Sequence, residues 1–259
     1  MLPLGGLKMR PLFGASLIGK VMALGSYPFS PWLAAAFFVG PDLVIIHNVF
    51  VPSAQGLGRV YTRFKTSRPE VWLTIDDGPD ERDTPRILDL LDRHRARATF
   101  FLIGEKAARH PELVAEIIRR GHEVAHHTQT HGIYNFWCAT PSHVRRELDA
   151  GLESLGRGGA RPRWFRPPVG IKNFFLHAAL AARGLVCVGW SVRSRDGTDR
   201  DSARIVARVL KSVQPGAIIL MHEGPDVHIS VRVEAIAGVL QGLEARGFAC
   251  VLPERDDLF

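Results

Sequence analysis

Two adjacent aspartates and two histidines spaced four residues apart are the side chains of this sequence that are best suited to chemistry. Asp76 and Asp77 end one apolar run, and His127 and His131 follow another. Two imidazoles and one carboxylate are ligands that a divalent cation such as zinc accepts. Each piece alone also has a plainer interpretation, because Asp-Asp-Gly-Pro suits a tight turn and histidines four residues apart simply share one helical face.

Hydrolysis of an amide would give the two aspartates different roles. One would bind the cation as an anion, and the other would take a proton from a water molecule that the cation acidifies. Arg166 could orient that base, although it could also be a structural ion-pair partner. His222 ends a very apolar run and could protonate the leaving amine, although a buried structural histidine is the alternative.

Short apolar runs alternate with helical patterns from residue 71 onward. The predicted strands are Val71–Asp76, Ala98–Ile103, His122–His126, Trp164–Pro167, Val186–Ser191, Ala217–His222 and Phe248–Leu252. The predicted helices lie near residues 84–95, 105–120, 141–155, 173–183, 201–212 and 230–246, with Thr84 and Thr140 as helix caps. This alternation predicts an α/β fold with a parallel sheet, either a distorted seven-stranded barrel or an open doubly wound sheet.

The candidate residues share one position, which is the C-terminal end of a predicted strand. In the order of the chain they are Asp76 and Asp77, His127 and His131, Arg166, Asp196, and His222. Active sites of α/β barrels form at this edge of the sheet. Five strand ends that carry polar side chains to one rim therefore predict an active site there.

The N-terminal region is apolar, and its place in the molecule is open to three interpretations. Asp42 is the only charged residue between Lys20 and Arg59. The stretch Val21–Pro41 is long enough to span a bilayer once. Alternatively, the region forms a pair of short membrane-embedded segments divided near Asp42, or a cleaved signal peptide that ends near Gly25.

The net charge of +7 is concentrated around this apolar region. Residues 1–70 contain seven basic and two acidic residues, a net of +5, which leaves +2 for residues 71–259. Basic residues that flank an apolar segment indicate attachment to a bacterial inner membrane. A hairpin would leave the enzyme domain in the cytoplasm, and a single span would export it. No basic stripe with aromatic platforms is found, which argues against nucleic-acid binding.

Five ordered motifs between about residues 70 and 255 resemble those of the polysaccharide deacetylase (NodB-homology) family, also called carbohydrate esterase family 4. The motifs are Thr74-Ile75-Asp76-Asp77-Gly78-Pro79, His127-Thr128-Gln129-Thr130-His131, Arg166-Pro167-Pro168-Val169-Gly170, Asp196, and Leu220-Met221-His222. The resemblance implies a distorted seven-stranded (β/α) barrel. Together with the hydropathy and charge of the N-terminal region, it predicts three regions: an apolar, membrane-associated segment at 1–60, a basic linker at 61–69, and the deacetylase domain at 70–259.

The resemblance further implies a role for each matching residue. Asp76 would be the catalytic base, paired with Arg166, and His222 would be the acid, tuned by Asp196. The metal ligands would be Asp77, His127 and His131, with Zn²⁺ as the expected ion. The backbone N–H of Val169 would face the oxyanion, and Leu220 would line the acyl pocket.

Three residues depart from the family pattern on the expected sugar-facing wall. Val169 stands where tyrosine is common, Gly197 where tryptophan is frequent, and His126 where asparagine is frequent. The resemblance implies removal of an N-acetyl or similar group from an amino sugar of an envelope or lipid-linked glycan. The alternatives are a deformylase of a polyprenyl-phosphate-linked amino sugar and a non-catalytic, membrane-anchored glycan-binding barrel.

Overall fold

The computed structural model describes residues 11–259, so the basic residues Lys8 and Arg10 lie outside the described residues. Helices and strands alternate after residue 70, as the sequence predicts. The helices are α1 Pro11–Ser26, α2 Pro31–Phe50, α3 Asp83–Arg93, α4 Gly104–Arg109, α5 Pro111–Arg119, α6 Pro141–Arg157, α7 Leu176–Ala181, α8 Ser202–Ser212 and α9 Arg232–Ala245. The strands are β1 Glu70–Asp76, β2 Ala98–Leu102, β3 Glu123–His126, β4 Trp164–Phe165, β5 Val186–Cys187, β6 Val192–Arg193, β7 Ala217–His222 and β8 Ala249–Cys250.

The strands form one curled parallel sheet in the order β5-β4-β3-β2-β1-β7-β6, with β8 paired to the start of β1. The central strands β1, β2 and β7 are buried almost throughout. Burial on both faces explains their near-continuous apolar sequence, because helices cover one face and the curled interior fills the other. The predicted α/β fold with a distorted, incomplete barrel is thereby confirmed.

The single strand predicted at Val186–Ser191 is instead two short strands on opposite edges of the sheet. The N–H of Val188 donates to the carbonyl of Phe165 on β4, whereas the N–H of Ser191 donates to the carbonyl of Ile218 on β7. One continuous segment therefore begins beside β4 and ends beside β7. This segment draws the two edges together and curls the sheet.

Two predicted helix features differ in the structure. The helix predicted near residues 105–120 is divided into α4 and α5, because Pro111 occupies the first turn of α5 and starts a new helix there. Thr140 caps α6, which confirms one predicted cap. The cap predicted at Thr84 is wrong, because Thr84 lies inside α3 and its hydroxyl donates to the buried Glu223 carboxylate at 2.6 Å.

The N-terminal region folds as an antiparallel helical hairpin, so the single continuous span predicted at Val21–Pro41 is wrong. The chain turns at residues 27–30, and α2 continues through the predicted division at Asp42. It can do so because Asp42 is paired with Lys20 of α1 at 2.9 Å and accepts a hydrogen bond from Ser16 at 2.6 Å. Among residues 11–259, only α2 is long and apolar enough to cross a bilayer.

Residues 61–69, predicted as a basic linker, make backbone contacts with the barrel. The N–H of Tyr61 donates to the carbonyl of Cys187, and the N–H of Gly189 donates to the carbonyl of Tyr61. The N–H of Phe64 donates to the turn before β7. The segment thus covers the irregular stretch between β5 and β6 and pairs with backbone groups there.

Candidate active site

The register of β1 and β7 places three candidate side chains, together with Thr74, on one face of the sheet. Asp76 pairs with His222, and Thr74 pairs with Leu220 two residues earlier. Side chains two residues apart on a strand point to the same side, so all four face the barrel interior near its rim. The predicted base and acid therefore leave the sheet as immediate neighbours.

Asp77, His127 and His131 converge on one point of this rim. One possible ligand atom from each residue lies within 4.8 Å of the others. The Oδ1 atom of Asp77 is 3.4 Å from Nε2 of His127 and 3.3 Å from Nε2 of His131. That oxygen is buried and has no hydrogen-bond partner among the described residues. A buried oxygen without a partner, aimed at two imidazole nitrogens, fits a divalent cation.

The protonation of these groups also suits a cation site. His127 contacts the carbonyl of Arg166 through Nδ1 at 2.7 Å, so a proton on Nδ1 leaves the lone pair of Nε2 free for a ligand bond. Burial lowers the pKa of His131 to about 4, which keeps its imidazole neutral. Burial alone would raise the pKa of Asp77, but the three neighbouring histidines lower it well below its usual value.

Asp76 is held by a fully buried arginine. Arg166 Nη1 donates to Asp76 Oδ1 at 2.6 Å and to the Thr74 hydroxyl at 2.9 Å. The remaining guanidinium nitrogens donate to the carbonyls of Val188 and Gly189. Burial lowers the pKa of Arg166, although Asp76 opposes that effect. Such a charge is tolerated in the interior because its donors are satisfied, and it fixes one oxygen of Asp76 in place.

His222 and Asp196 form a second charged pair beside Asp76. The imidazole Nδ1 lies 2.6 Å from Asp196 Oδ1, and the backbone N–H of His222 donates to Asp196 Oδ2 at 2.8 Å. Burial would lower the pKa of His222, but the Asp196 carboxylate outweighs it and raises the pKa to about 9. A histidine that retains its proton at neutral pH, with Nε2 left for a substrate, is suited to act as an acid.

The left-handed backbone conformation is concentrated at this rim. Five of the six non-glycine residues with positive φ in the described chain lie there, namely Asp77, Thr128, His131, Val169 and Arg195, with φ between 48° and 74°. Such conformations cost roughly 1–3 kcal/mol each and persist only where the surrounding structure imposes them. The fold therefore holds the loops after β1, β3, β4 and β6 in strained conformations at the candidate site.

A model of the polysaccharide deacetylase family matches residues 63–188. The chain is 38% identical over 190 residues to a chitooligosaccharide deacetylase of Bradyrhizobium sp. (strain ANU 289). The aligned residues cover 69% of this chain and 86% of that protein. The chain belongs to the polysaccharide deacetylase family. Through this membership it is a hydrolase of carbon–nitrogen bonds, and the resemblance of its motifs to the family is confirmed.

Two further family members agree with this assignment. A peptidoglycan-N-acetylglucosamine deacetylase of Bacillus cereus is 35% identical over 184 residues, which cover 70% of this chain and 66% of that protein. The crystal structure of the Bc1960 peptidoglycan N-acetylglucosamine deacetylase, in complex with 4-naphthalen-1-yl-N-oxidanyl-benzamide, superposes with a TM-score of 0.68 and 34% identity. That alignment covers 73% of this chain and 88% of the other.

The three departures from the family pattern lie in different environments. Val169 is half exposed, and a Cβ added at Gly197 would meet no atom within 4 Å, so both positions leave open space at the rim. His126 is fully buried, with Nε2 2.9 Å from the carbonyl of Leu148 and Nδ1 accepting from the N–H of Thr128. His126 therefore supports the turn that carries the two candidate histidine ligands.

Several residues that position this site were missed from the sequence. Thr74 bridges Arg166 to β7, because its hydroxyl also donates to the carbonyl of Ile219. Ser194 donates to Asp196, and Lys106 donates to the carbonyl of Asp77 at 2.7 Å. Only Thr74 could have been predicted from the sequence, because it lies two residues before Asp76 and therefore on the same face of β1.

Glu147 is a further supporting residue that the sequence did not reveal. It lies buried on α6, and its carboxylate accepts the backbone N–H groups of Gln129 and Thr130 and the Thr130 hydroxyl. A carboxylate that accepts three hydrogen bonds fixes the turn between His127 and His131. In the sequence, a glutamate in the middle of an amphipathic helix cannot be distinguished from one on the protein surface.

Proposed function

We propose that this protein is a divalent-metal-dependent deacylase that removes an N-acetyl group from an amino sugar of a cell-envelope glycan. The observation that carries the proposal is the group Asp77, His127 and His131, which lies beside the Asp76 that Arg166 holds. Its buried Asp77 Oδ1 atom has no hydrogen-bond partner within residues 11–259. The relatives named as deacetylases of chitooligosaccharide and of peptidoglycan N-acetylglucosamine support the same chemistry and substrate class.

The proposed mechanism divides the reaction between the two charged pairs. When bound, a divalent cation, with Zn²⁺ expected, would polarise the substrate carbonyl and acidify a water molecule. Asp76 accepts the proton of the attacking water, and Arg166 keeps its carboxylate oriented throughout. The backbone N–H of Val169 faces the oxygen on which negative charge develops, and a preorganised donor of this kind contributes a few kcal/mol.

Departure of the amine requires a proton, which His222 donates to the sugar nitrogen. Asp196 holds the imidazole by its Nδ1 atom and so presents Nε2 to the leaving group. Leu220, which is buried beside Thr74, lines the space for the acyl methyl group. The register of Asp76 and His222 supports this division, because base and acid then flank one scissile bond.

Chitooligosaccharides and peptidoglycan fragments provide the direct test of this proposal. The purified full chain should release acetate from at least one of these substrates, and a chelator should stop the release until Zn²⁺ is added back. An Asp76→Asn variant should be inactive, whereas Asp89→Asn, on the exposed side of α3, should match the native chain. Turnover by Asp76→Asn at the native rate would refute the role of the base. Binding of glycans without acetate release would favour the non-catalytic barrel.

A second candidate function, a deformylase of a polyprenyl-phosphate-linked amino sugar, is favoured by the apolar hairpin and by the open rim at Val169 and Gly197. We further propose that α1 and α2 attach the enzyme to a bacterial inner membrane, with the deacetylase domain at residues 70–259. Release of formate instead of acetate from a matched pair of substrates would distinguish this candidate.

A further inference from the structure

We propose that the α1–α2 hairpin inserts into a bilayer and holds the catalytic rim against the membrane surface, so that the substrate is an N-acyl amino sugar carried on a lipid. The proposal rests on the deacylase function above and adds the substrate's anchor and its direction of approach. It follows from three features of the hairpin: its apolar outer surface, its contacts with the rim loops, and its length.

The hairpin has small residues inside and large apolar residues outside, the reverse of a helix pair that folds in water. Ser16, Gly19, Ala23 and Ala34 are buried between the helices. A Cβ added at Gly19 would lie 2.5 Å from a backbone oxygen of α2, so the helices touch there. The exposed outer surface carries Leu17, Ile18, Val21, Met22, Leu24, Leu33, Phe38, Val39, Leu43, Val44 and Ile46.

Close contact through small residues is typical of helix pairs in membranes, where large apolar side chains are satisfied by lipid. A continuous surface of eleven large, exposed apolar side chains is rare on a soluble monomer. The two charges in the hairpin satisfy each other, because Lys20 pairs with Asp42 across the helices. Paired charges are the usual form in which ionisable groups enter a membrane segment. A bilayer is therefore the occupant that fits this surface.

The hairpin is fixed to the two loops that carry the metal-ligand and oxyanion motifs. Phe50, at the end of α2, packs on Trp137 of the loop after His131, with ring centroids 5.9 Å apart. Phe13 of α1 packs on Phe174, in the loop after Val169, at 4.3 Å. The anchor is thus built onto the edge of the active site.

The buried Lys172 locks the end of α2 to the same loop. Its ammonium group donates to the carbonyls of Val51 and Pro52 at 2.6 and 3.0 Å, and its backbone N–H donates to the carbonyl of Val49. A Cβ added at Gly170, the residue after Val169, would lie 2.5 Å from Pro52. These contacts restrict movement of the hairpin relative to the rim. Insertion of the hairpin into a bilayer would therefore also position the rim.

Both ends of the hairpin lie at the rim, so its turn lies at the far end. The 20 residues of α2 extend about 30 Å, the thickness of a hydrocarbon core. Phe29 and Trp32 at the turn are 87% and 86% exposed. Tyr134 and Trp137 are exposed on the rim loop at the other end, where aromatic side chains would meet the headgroup layer. The site then opens at the membrane surface, within reach of a sugar attached to a lipid.

Cys138 provides a reporter of this orientation. It is exposed on the rim loop, whereas Cys187 and Cys250 are buried, so a polarity-sensitive thiol fluorophore would label it selectively. The matched control carries Cys138→Ser and Ser212→Cys, which moves the label to the end of α8, at the opposite end of the barrel. When anionic vesicles that contain lipids with a quencher on the headgroup are added, only the fluorescence emission of the Cys138 label should shift to shorter wavelength and lose intensity. Equal responses at both positions, or none at Cys138, would overturn the orientation.

Activity on matched substrates separates this inference from the function on which it rests. The same N-acetylated amino sugar is supplied on a polyprenyl phosphate in vesicles and on a short, water-soluble alkyl phosphate. The native chain should favour the membrane-borne substrate at least tenfold in kcat/KM. Turnover of the soluble substrate without this preference would overturn the inference and leave the function intact. Failure on both, and on chitooligosaccharides, would overturn the function itself.

Substitutions at the hairpin turn show whether insertion causes the preference. A chain with Phe29→Glu and Trp32→Glu should lose the preference and keep its activity on the soluble substrate, because charges at the turn oppose insertion. Ile118→Glu places one charge on an exposed apolar residue of α5, away from the hairpin, and should change neither activity. Retention of the tenfold preference by the turn variant would overturn the proposal. The proposal would also be overturned if the chain, in solution without detergent, formed a dimer that buries the hairpin.

Discussion

Asp76 on β1 and His222 on β7 are direct register partners, so a carboxylate held by Arg166 and an imidazole held by Asp196 leave the sheet side by side. Neither side chain has to be brought in by a mobile loop. The backbones that carry the two side chains are neighbouring strands, which lie about 4.8 Å apart in a sheet. The proposed base and acid are thereby positioned by two adjacent, buried strands of the sheet.

The first prediction concerns Asp76. Replacement by asparagine keeps the hydrogen bond to Arg166 but removes the proton acceptor, so kcat should fall about 10³-fold. The metal content should remain near the native value, because Asp77, His127 and His131 are unchanged. Acetate release and elemental analysis of the same preparation measure both quantities. A simultaneous loss of metal would instead assign Asp76 to the ligand set.

The second prediction separates binding of the metal from folding. A chelator should lower the Tm of the native chain by several degrees, because a ligand that binds only the folded state stabilises it. Asp77→Asn should melt like the chelated native chain and should not respond to added Zn²⁺. Asp89→Asn, a control of equal charge change on α3, should still respond. A Zn²⁺-dependent rise in the Tm of Asp77→Asn would contradict the ligand assignment.

The third prediction concerns the dependence of activity on pH. Only protonated His222 can donate to the leaving amine, so activity should persist below the pKa of His222 and fall as the pH rises through it, near 9. In Asp196→Asn the amide no longer stabilises the imidazolium. The pKa of His222 should therefore drop, and the alkaline limb of kcat should move to lower pH. An unchanged alkaline limb, with kcat reduced uniformly, would mean that another group is the acid.

The fourth prediction tests whether Val169 acts through its backbone. Val169 has a φ of 48°, a conformation that a β-branched side chain disfavours. Val169→Gly should raise the free energy of unfolding by about 1 kcal/mol, since glycine tolerates this conformation, and should leave kcat within about threefold. Val169→Ala, in which a Cβ remains, should gain less stability. Loss of turnover in the glycine variant would show that the side chain contributes to catalysis.

The candidate site could be predicted from the sequence because its residues lie where local patterns are strongest. Asp76 and Asp77 end a mostly apolar run, and His222 ends another, so their place on the rim followed from strand ends alone. The buried environment of His126 could not be predicted in this way, because it depends on α6. There Gly151 lies so close that an added Cβ would be 2.4 Å from the imidazole of His126.

Contacts between distant segments explain the remaining differences. The division at Val186–Ser191 depends on which strands lie on either side of that segment, which no local pattern records. In the sequence, Asp42 indicates a break in an apolar run. The structure shows that it pairs with Lys20, which lies 22 residues earlier, so the helix continues through it. Glu223 follows His222 directly, yet its burial raises its pKa to about 8 and sets it apart from a surface glutamate.

The proposed reaction depends on one cation bound jointly by Asp77, His127 and His131. Anomalous diffraction from crystals of the full chain grown with Zn²⁺, measured on both sides of the zinc absorption edge, tests it directly. We expect one strong peak in contact with all three side chains, and its disappearance in Asp77→Asn crystals. A peak elsewhere, or none at these residues in the native crystals, would contradict it.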